Sequence, residues 1–369
     1  MDFTMSETQR DLAGLTRRIL DDHVTQTRLR SVGAQPDHID RELWSALADA
    51  GVLAAALAEN IGGGGFGVLE QCSVLIELGR AVAPAPYLAS IAVAAAAIAE
   101  FGDDAQRETW AAAAARGELV LTAALTEESA DSPDAPVTRA ERADSGWRLT
   151  GSKAVVSAGP VADLFLVPAA TDDGPRVFLV RPSDAGVTVQ RQRLVDGDSA
   201  ASLELVGVRL DPDRTLGGAG VLDWLLERAT VALCAQQLGV LERALELTVA
   251  YARERVQFGR PIGSFQAVGQ RLADAYVDVE AVRLTMWEAA WRVAEGLPAT
   301  TELATAKFWA ADAGHRVAHT AVHVHGGTGI DTDGALHRYF VAAKRNEFTL
   351  GAATVHLRRL GAELAATPA

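Results

Sequence analysis

Residues 251–266 read Tyr251-Ala-Arg-Glu-Arg-Val-Gln-Phe-Gly-Arg-Pro-Ile-Gly-Ser-Phe-Gln266 and lie between two long helical patterns. Apolar residues recur at helical spacing before this stretch. The segment Gly259-Arg-Pro-Ile-Gly263 interrupts them, because proline lacks an N–H group and glycine tolerates positive φ. Ser264 is a candidate N-cap for the helix that follows. The stretch therefore predicts two helices joined by a short loop.

Two arginines, Arg253 and Arg255, stand at the end of the first of these helices. Cations near a helix C-terminus interact favourably with the helix dipole, so both side chains are explained by helix capping alone. Charge by itself does not decide whether either has a further role.

A family signature is present in the same stretch. The residues from Arg255 to Gln266, followed by Leu272-Ala-Asp274, resemble the signature of the acyl-CoA dehydrogenases. These flavoenzymes form a trans-2-enoyl thioester from an acyl-CoA. The likeness covers nearly the whole chain, and within the family it is greatest to one subunit of the heteromeric actinobacterial enzymes that dehydrogenate steroid side-chain CoA thioesters.

The resemblance implies an α+β fold of three domains. It places an N-terminal all-helical domain at 1–117, a central antiparallel β-barrel at 118–217, and a C-terminal four-helix bundle, the oligomer core, at 218–369. The hydrophobic periodicity has the same order, because it is helical up to about residue 118, strand-like in short runs up to Val208, and helical again from Asp223. By pattern alone, the strands fit a small antiparallel barrel or a sandwich.

Composition limits the classes of partner. The chain has 369 residues, a formal net charge of −14 and a pI near 5.0, which disfavours nucleic acid or an anionic membrane as the main partner. The N-terminus is not a basic signal region, and the longest apolar run, Ile91 to Ala99, is too short to span a bilayer. We therefore expect a cytoplasmic protein. Cys72 and Cys234 lack metal-site spacing and are expected to be core residues.

Two further patterns have competing interpretations. The run Gly62-Gly-Gly-Gly-Phe-Gly67 invites a phosphate-loop interpretation, but no strand clearly precedes it and a turn is favoured. His315, His319 and His323 recur at every fourth residue of one helix, so they share a face, a pattern that a metal site can have. No carboxylate motif accompanies them, so polar contacts inside a helical interface are favoured and no metal is expected.

The resemblance implies residues that contact FAD across a subunit boundary. Arg255 would meet the pyrophosphate of a neighbouring subunit's FAD, and Gln257, Phe258 and Gln266 would line its adenine and ribose. The run His323-Val-His-Gly-Gly-Thr-Gly329 ends a helix and resembles the family's Gln-x-x-Gly-Gly-x-Gly element, in which backbone approaches the pyrophosphate. Gly326 and Gly327 match that element, and His323 replaces its glutamine.

The part of the family site that a subunit keeps for its own flavin is altered. A Trp-Ile-Thr segment covers the flavin ring in the family, and the matching positions here are Val155, Val156 and Ser157. The family's Thr-Glu-Pro-Gly-x-Gly-Ser element begins as Thr126-Glu127, but its proline and glycines are replaced at Glu128, Ser129 and Asp131. The sequence therefore predicts that this chain does not cover a flavin as its relatives do.

No acid–base side chain stands at the family's usual catalytic position. The base that removes the α-proton is a glutamate in a Tyr-Glu-Gly-Thr segment, which reads Thr349-Leu350-Gly351-Ala352 here. A minority of the family places the base on the helix before the signature, where Ala229 stands. Glu227 lies two residues earlier, about 200° around the helix, so it is a weak alternative base. Glu347 is weaker still.

The sequence therefore favours a subunit of a heteromeric FAD-dependent acyl-CoA dehydrogenase, an enzyme active only in complex. A second dehydrogenase-like subunit in an α2β2 tetramer would supply the base. One alternative is a self-sufficient homotetramer that uses Glu227, and another is a flavin-free structural or regulatory relative. The acyl chain, the partner's identity, flavin binding by the isolated chain and the electron acceptor stay open.

Overall fold

A computed structural model describes residues 4–130, 132–144 and 146–366. Asp131, one of the altered positions named above, lies outside them. Within these residues the chain forms two compact units. The helical unit comprises residues 4–26, 72–83 and 230–366, and the sheet unit comprises residues 27–71 and 84–229. This contact-based division differs from the three sequence segments, whose bounds remain a prediction.

The α-helices are α1 Glu7–His23, α2 Gln26–Gly33, α3 Arg41–Asp49, α4 Val68–Ala81, α5 Ala96–Phe101, α6 Asp104–Gln106, α7 Ala113–Ala115, α8 Val221–Glu254, α9 Gln266–Ala294, α10 Thr300–His325, α11 Leu336–Phe348 and α12 Ala353–Ala366. Two π-helical segments, Leu88–Ala95 and Arg107–Ala112, lie next to α5, α6 and α7. The strands are β1 Leu121–Ala123, β2 Arg139–Ala143, β3 Gly146–Ser157, β4 Leu164–Thr171, β5 Gly174–Val180, β6 Val187–Arg193, β7 Ser199–Leu210, β8 Thr215–Leu216, β9 Val256–Gln257 and β10 Arg260–Pro261.

Capping residues mark where several helices begin. Ser6 accepts a hydrogen bond from the Gln9 N–H at 3.0 Å and Gln9 Oε1 accepts one from the Ser6 N–H, a capping box that starts α1. Asp40 caps α3 by accepting from the N–H groups of Glu42 and Leu43. The prediction for Ser264 is wrong. α9 begins at Gln266 after Phe265, because the Ser264 hydroxyl instead donates to the Pro261 carbonyl at 2.7 Å.

The central sheet has eight strands in the order β6-β7-β3-β2-β4-β5-β8, with β1 beside β4. It is open, so the predicted closed barrel is wrong. Closure would need hydrogen bonds between the end strands β6 and β8, and β8 offers only the two residues Thr215–Leu216. The sheet is also not wholly antiparallel, since β1 runs parallel to β4. A buried apolar cluster between its strands includes Leu149, Phe165 and Phe178.

One ion pair is buried within this sheet. Lys153 donates to Glu127 Oε1, and the two side chains are 1% and 2% exposed. Lys153 also donates to the Pro168 carbonyl at 2.6 Å, and the carboxylate accepts from the N–H groups of Val137 and Thr138. Glu127, the last matching residue of the altered flavin loop, is therefore held as part of the sheet.

The glycine-rich run before α4 is a packed turn. The N–H groups of Gly63, Gly64 and Gly65 donate to the carbonyls of Ala58, Ala54 and Leu57. A Cβ on Gly63 would lie 2.1 Å from the Leu57 oxygen, so glycine is required for this close approach. Because these N–H groups are bonded within the chain, they are not presented to a phosphate.

Both cysteines are buried thiols, as expected of core residues, and burial raises the pKa of Cys234 to about 12. Among the helices that the structure describes, none combines the length and the apolar character needed to cross a membrane.

Candidate functional site

The loop between α8 and α9 is a small hairpin in the helical unit. β9 pairs antiparallel with β10, with Gln257 opposite Arg260. The hairpin is fixed at its base, because the Arg255 N–H donates to the Tyr251 carbonyl and the Arg255 carbonyl accepts from the Ile262 N–H, both at 2.8 Å. This arginine hairpin, residues 255–262, presents its first residues to solvent from the end of α8.

The tip of the arginine hairpin is a two-residue turn of Phe258 and Gly259. Their φ values are 53° and 79°, the positive signs that a type I′ turn requires. Positive φ is unfavourable for a bulky residue, and Phe258 is also 94% exposed. Its ring makes an edge contact with Phe265, at 6.2 Å between centroids. An exposed aromatic ring held in strained backbone is typical of a binding surface rather than of a core.

The Arg255 side chain is exposed at the start of the hairpin. Among the residues that the structure describes, none forms a hydrogen bond or ion pair with its guanidinium. Arg80, in the last turn of α4, is by contrast paired with Glu242 at 2.7 Å. Capping of α8 by this side chain is therefore not observed, and its donors are available to a ligand.

The second predicted element is the glycine turn, residues 326–329, which follows α10. Gly326 has φ 64° and ψ −141°, a backbone conformation that favours glycine. Gly326 and Gly327 are exposed, and a Cβ on either would meet no atom within 4 Å. His323 is also exposed, one helical turn before Gly327. The turn therefore presents bare backbone to solvent.

A ring stack joins the two elements. Tyr251, in the last turn of α8, stacks on His325, the last residue of α10, with 4.2 Å between ring centroids and 20° between ring planes. Arg255 and the glycine turn thus follow directly from two helix ends that are in contact. The sequence alone assigned no role to either ring, although His325 directly precedes Gly326 and Tyr251 lies one helical turn before Arg255.

The three histidines at every fourth residue of α10, His315, His319 and His323, do not gather ligands for a metal. His315 lies 2.9 Å from Lys344 Nζ and 3.4 Å from Glu347 Oε1, and its ring packs on His319 at 4.3 Å between centroids. Burial, aided by the neighbouring His315 and Lys344, lowers the pKa of His319. In the described parts of the chain, no group of three metal-binding side chains converges.

The position that the sequence predicts to match the family's base, Leu350, is a strained structural turn. Leu350 has φ 58°, which is unfavourable for a residue with a Cβ. Its carbonyl oxygen lies 2.8 Å from His356 Nε2, and the following Gly351 carbonyl accepts from Lys307 Nζ at 2.8 Å. Lys307 is fully buried, and burial lowers its pKa to about 8. Glu347 is held by Lys344 and His315, so it too serves this packing.

His356 should make the stability of the helical unit depend on pH. Burial lowers its pKa from 6.5 to about 4, so between these values the unfolded chain binds a proton that the folded chain excludes. Stability is therefore expected to fall as the pH drops from 6.5 to 4, by about 3 kcal/mol at roughly 1.4 kcal/mol per pKa unit.

Urea unfolding at several pH values measures this effect. His356→Gln keeps a donor for the Leu350 carbonyl but does not titrate, so its stability should fall less over the same range. Parallel pH profiles for the two proteins would show that His356 is not responsible.

The positions that match the family's flavin cover form a bulge in the sheet unit. The pairing of β3 with β7 shifts between Lys153 and Val156, and the intervening Val155 has φ 51° and is 45% exposed. The Val155 N–H donates to Gln192 Oε1 at 2.8 Å, a contact that the sequence did not suggest. Val156 is buried, and only aliphatic or hydroxyl side chains occupy the three positions.

The alternative base position lies near the start of α8. Ala229 is 3% exposed there, and Glu227 is partly exposed. α8 is an unbroken α-helix from Val221 to Glu254, with no π or 3₁₀ segment to change its register. The two-residue offset of Glu227 from Ala229 is therefore retained.

Comparison with known proteins defines the family. Three family models match the chain in order: the acyl-CoA dehydrogenase N-terminal domain over residues 6–118, the middle domain over 122–208 and the C-terminal domain over 217–365. The chain belongs to the acyl-CoA dehydrogenase family. Its fold has the family's helical, β and helical parts, as predicted.

Individual relatives are similar over the full length. The chain is 51% identical to acyl-CoA dehydrogenase FadE27 of Mycobacterium tuberculosis, covering 100% of both chains. It resembles one chain of the ChsE4–ChsE5 complex from the same organism, with a TM-score of 0.97, 52% identity and 100% coverage of each chain. It also resembles a chain of the Tcur3481–Tcur3483 steroid ACAD in a variant form, with a TM-score of 0.94, 42% identity, and coverage of 99% of this chain and 100% of that one.

FAD, the cofactor that this family implies, has a pyrophosphate group, and the helical unit fits it chemically. The Arg255 guanidinium is exposed and unpaired by described residues, and it suits phosphate oxygens. Gly326 and Gly327 leave room for close approach to the backbone, since a Cβ on either would meet open space.

Proposed function

We propose that this chain is a subunit of a heteromeric FAD-dependent acyl-CoA dehydrogenase. In the proposed complex, Arg255, Gln257, Phe258, Gln266, His323, Gly326 and Gly327 contact an FAD whose catalytic base belongs to a partner subunit. FAD supplies the hydride acceptor for α,β-dehydrogenation of the acyl thioester. The role of this chain is to bind and orient the cofactor.

The observation that carries the proposal is the Leu350 turn. Leucine cannot accept a proton, and the backbone around it is occupied by hydrogen bonds from His356 and Lys307. The nearest carboxylate in sequence, Glu347, is paired with Lys344 and His315. A homo-oligomer of this chain would therefore lack the usual base in every site.

The two parts of the family site differ in this chain, which supports a site shared with a partner. The exposed arginine hairpin and the glycine turn keep the chemistry of the part that contacts a neighbouring subunit's FAD. The part that would cover this chain's own flavin has no aromatic side chain, since Val155, Val156 and Ser157 occupy it, and the Val155 N–H group is bonded to Gln192. We infer that the flavin ring is covered by the partner.

The names of the relatives support both the partner and the substrate class. The ChsE4–ChsE5 and Tcur3481–Tcur3483 structures are complexes of two named proteins, and the second is named a steroid ACAD. By similarity, we propose that a steroid side-chain CoA thioester is the substrate and that the complex is α2β2.

Helix α9 carries the surface that we propose contacts other subunits. Four apolar residues at core-like spacing on α8 and α9 are buried within the chain itself: Leu233, Leu238, Leu241 and Val282. On α9, Val268 and Leu272 are half-buried, and Val277 is 64% exposed. Tyr276 and Leu284 extend this exposed apolar surface. An open groove of about 1110 Å³ lies between α9 and α10 and is lined in part by Val277, His319 and His323.

The proposal is tested by expressing the chain alone and with a partner. Alone, it is expected to be flavin-poor and inactive with a steroid side-chain CoA thioester. Co-expressed with a base-bearing dehydrogenase-like subunit, it should give a yellow complex that forms the enoyl thioester. Substitution of the partner's base by glutamine should abolish turnover while flavin absorbance remains. Turnover by the isolated chain would contradict the proposal.

Glu227→Gln is expected to leave turnover of the complex nearly unchanged. Glu227 is offset from the alternative base position in an unbroken helix, so it should not reach the α-carbon of a bound thioester. Steady-state kcat measures this directly. A loss of about 10²-fold or more would instead indicate an essential base and favour a self-sufficient enzyme.

A further inference from the structure

The ring pair of Tyr251 and His325 lies where two separate helix ends meet within the helical unit. Each ring belongs to the last turn of its helix, α8 or α10. The Tyr251 carbonyl accepts the first hydrogen bond of the arginine hairpin, from Arg255 N–H at 2.8 Å. His325 directly precedes Gly326, and its carbonyl accepts from the Thr328 hydroxyl at 2.8 Å. Each residue is thus bonded to one of the two elements.

Several contacts fix the His325 ring. Its Nδ1 lies 2.9 Å from the Ala321 carbonyl oxygen, so a neutral ring with its proton on Nδ1 donates there. Burial lowers the pKa of His325, which keeps the ring neutral at neutral pH. Gly329 packs back on the same helix end, since a Cβ there would lie 3.0 Å from the His325 Cβ and the Val322 Cα. The imidazole is therefore a fixed platform for the tyrosine ring.

The stack is a direct contact between the two helix ends that carry these elements. Within the described residues, no hydrogen bond or ion pair joins residues 255–262 to residues 323–329. The ring contact, at 4.2 Å and 20°, joins the ends of α8 and α10 from which Arg255 and the glycine turn follow, while the Gln237–Ala310 hydrogen bond joins the same two helices further along. A pyrophosphate held by both elements needs this spacing to be set before it binds, because ordering a loose hairpin on binding would weaken affinity.

We propose that Tyr251 and His325 are a positioning pair, which holds the arginine hairpin and the glycine turn at the spacing that one dinucleotide pyrophosphate requires. The pair acts through Arg255 and the glycine backbone. This inference rests on the proposed function, because it presumes that these elements contact FAD.

The test is FAD titration of the deflavinated complex with its partner, followed by fluorescence. Tyr251→Leu removes the ring and should weaken FAD binding about 3- to 10-fold, the range expected for loss of one aromatic stack. Tyr251→Phe keeps the ring and should bind like the wild type. Tyr251→Leu combined with His325→Leu should be no weaker than the weaker single variant, because both remove the same contact. Phe101→Leu, which breaks an aromatic pair in the sheet unit, is the matched control and should not change affinity.

A second readout does not depend on flavin. Amide hydrogen exchange of residues 255–262 in the deflavinated complex should be faster in Tyr251→Leu than in the wild type and unchanged in Tyr251→Phe. If Tyr251→Leu does not assemble, His325→Leu tests the same contact from the other ring.

Arg255→Ala in the same titration distinguishes failure of the positioning role from failure of the proposed function. If Arg255→Ala weakens FAD binding while Tyr251→Leu and His325→Leu do not, the positioning role is wrong and the proposed function stands. If Arg255→Ala has no effect, the proposed function fails, because this chain would not contribute to FAD binding through Arg255. Weak binding by Tyr251→Phe equal to that of Tyr251→Leu would also overturn the positioning role, because the ring would not be what matters.

Discussion

Lys153→Met is expected to lower the free energy of unfolding by about 3–5 kcal/mol, the usual effect of breaking a buried ion pair on one side. Lys153 and Glu127 are 1% and 2% exposed, so the variant leaves a carboxylate in the sheet without its cation. The Pro168 carbonyl also loses its donor. Urea unfolding of the isolated chain, followed by circular dichroism, measures the difference.

Two further variants show whether the loss of stability comes from the buried ion pair. Lys153→Met combined with Glu127→Gln removes both charges and should be less destabilised than the sum of the single variants. Arg116→Met breaks the exposed pair with Glu118 and should leave stability unchanged. A loss below about 1 kcal/mol for Lys153→Met would mean that water reaches the pair in solution.

Arg255→Ala is expected to lower the affinity of the assembled complex for FAD by about 10- to 100-fold, or about 1.5–3 kcal/mol for a hydrogen bond to a charged group. The fold should be intact, because the side chain is exposed and no described residue pairs with it. FAD titration of the deflavinated complex measures the affinity, and a thermal melt checks the fold.

Arg253→Ala is the matched control for this variant. It removes the same charge from the same helix end, two residues away, and should change FAD affinity much less. Equal losses for the two variants would mean that general charge, rather than a contact of Arg255, attracts the cofactor. An unchanged FAD affinity of the Arg255→Ala complex would refute the proposed contact between Arg255 and FAD.

Local patterns in the sequence predict much of the fold. Glycine and proline at 259–263 end the pattern of α8, and Ser6 and Asp40 start helices as capping residues do. Ser264 misleads because its hydroxyl has a nearby carbonyl partner in the turn, which competes with a capping role. Capping preference alone does not resolve such a competition.

The sheet shows where local patterns fail. β2 reads Arg139-Ala-Glu-Arg-Ala143, and only Ala140 is buried in it, so a search for apolar alternation passes over the strand. Closure of the predicted barrel depends on hydrogen bonds between the first and last strands of the sheet order. That property belongs to the whole sheet, and no single strand sequence encodes it.

The candidate site divides in the same way. Arg255, Gly326 and the leucine at the predicted base position, Leu350, are visible as residue identities in a motif. The left-handed backbone of Phe258 and the contact of Tyr251 with His325 are not, because they depend on how α8 and α10 meet across a long stretch of sequence. Residue types thus indicate which chemistry is present, and tertiary packing determines how it is held.

We propose that this chain supplies one half of a flavin site and depends on an unlike partner for the other half. Native mass spectrometry of the co-expressed complex, together with flavin quantitation, tests it most directly. We expect a heterotetramer of two copies of each chain that carries about one FAD per pair of unlike chains, since each complete site needs one half from each. A stable homotetramer of this chain, with one FAD per chain and enoyl-CoA-forming activity, would contradict the account.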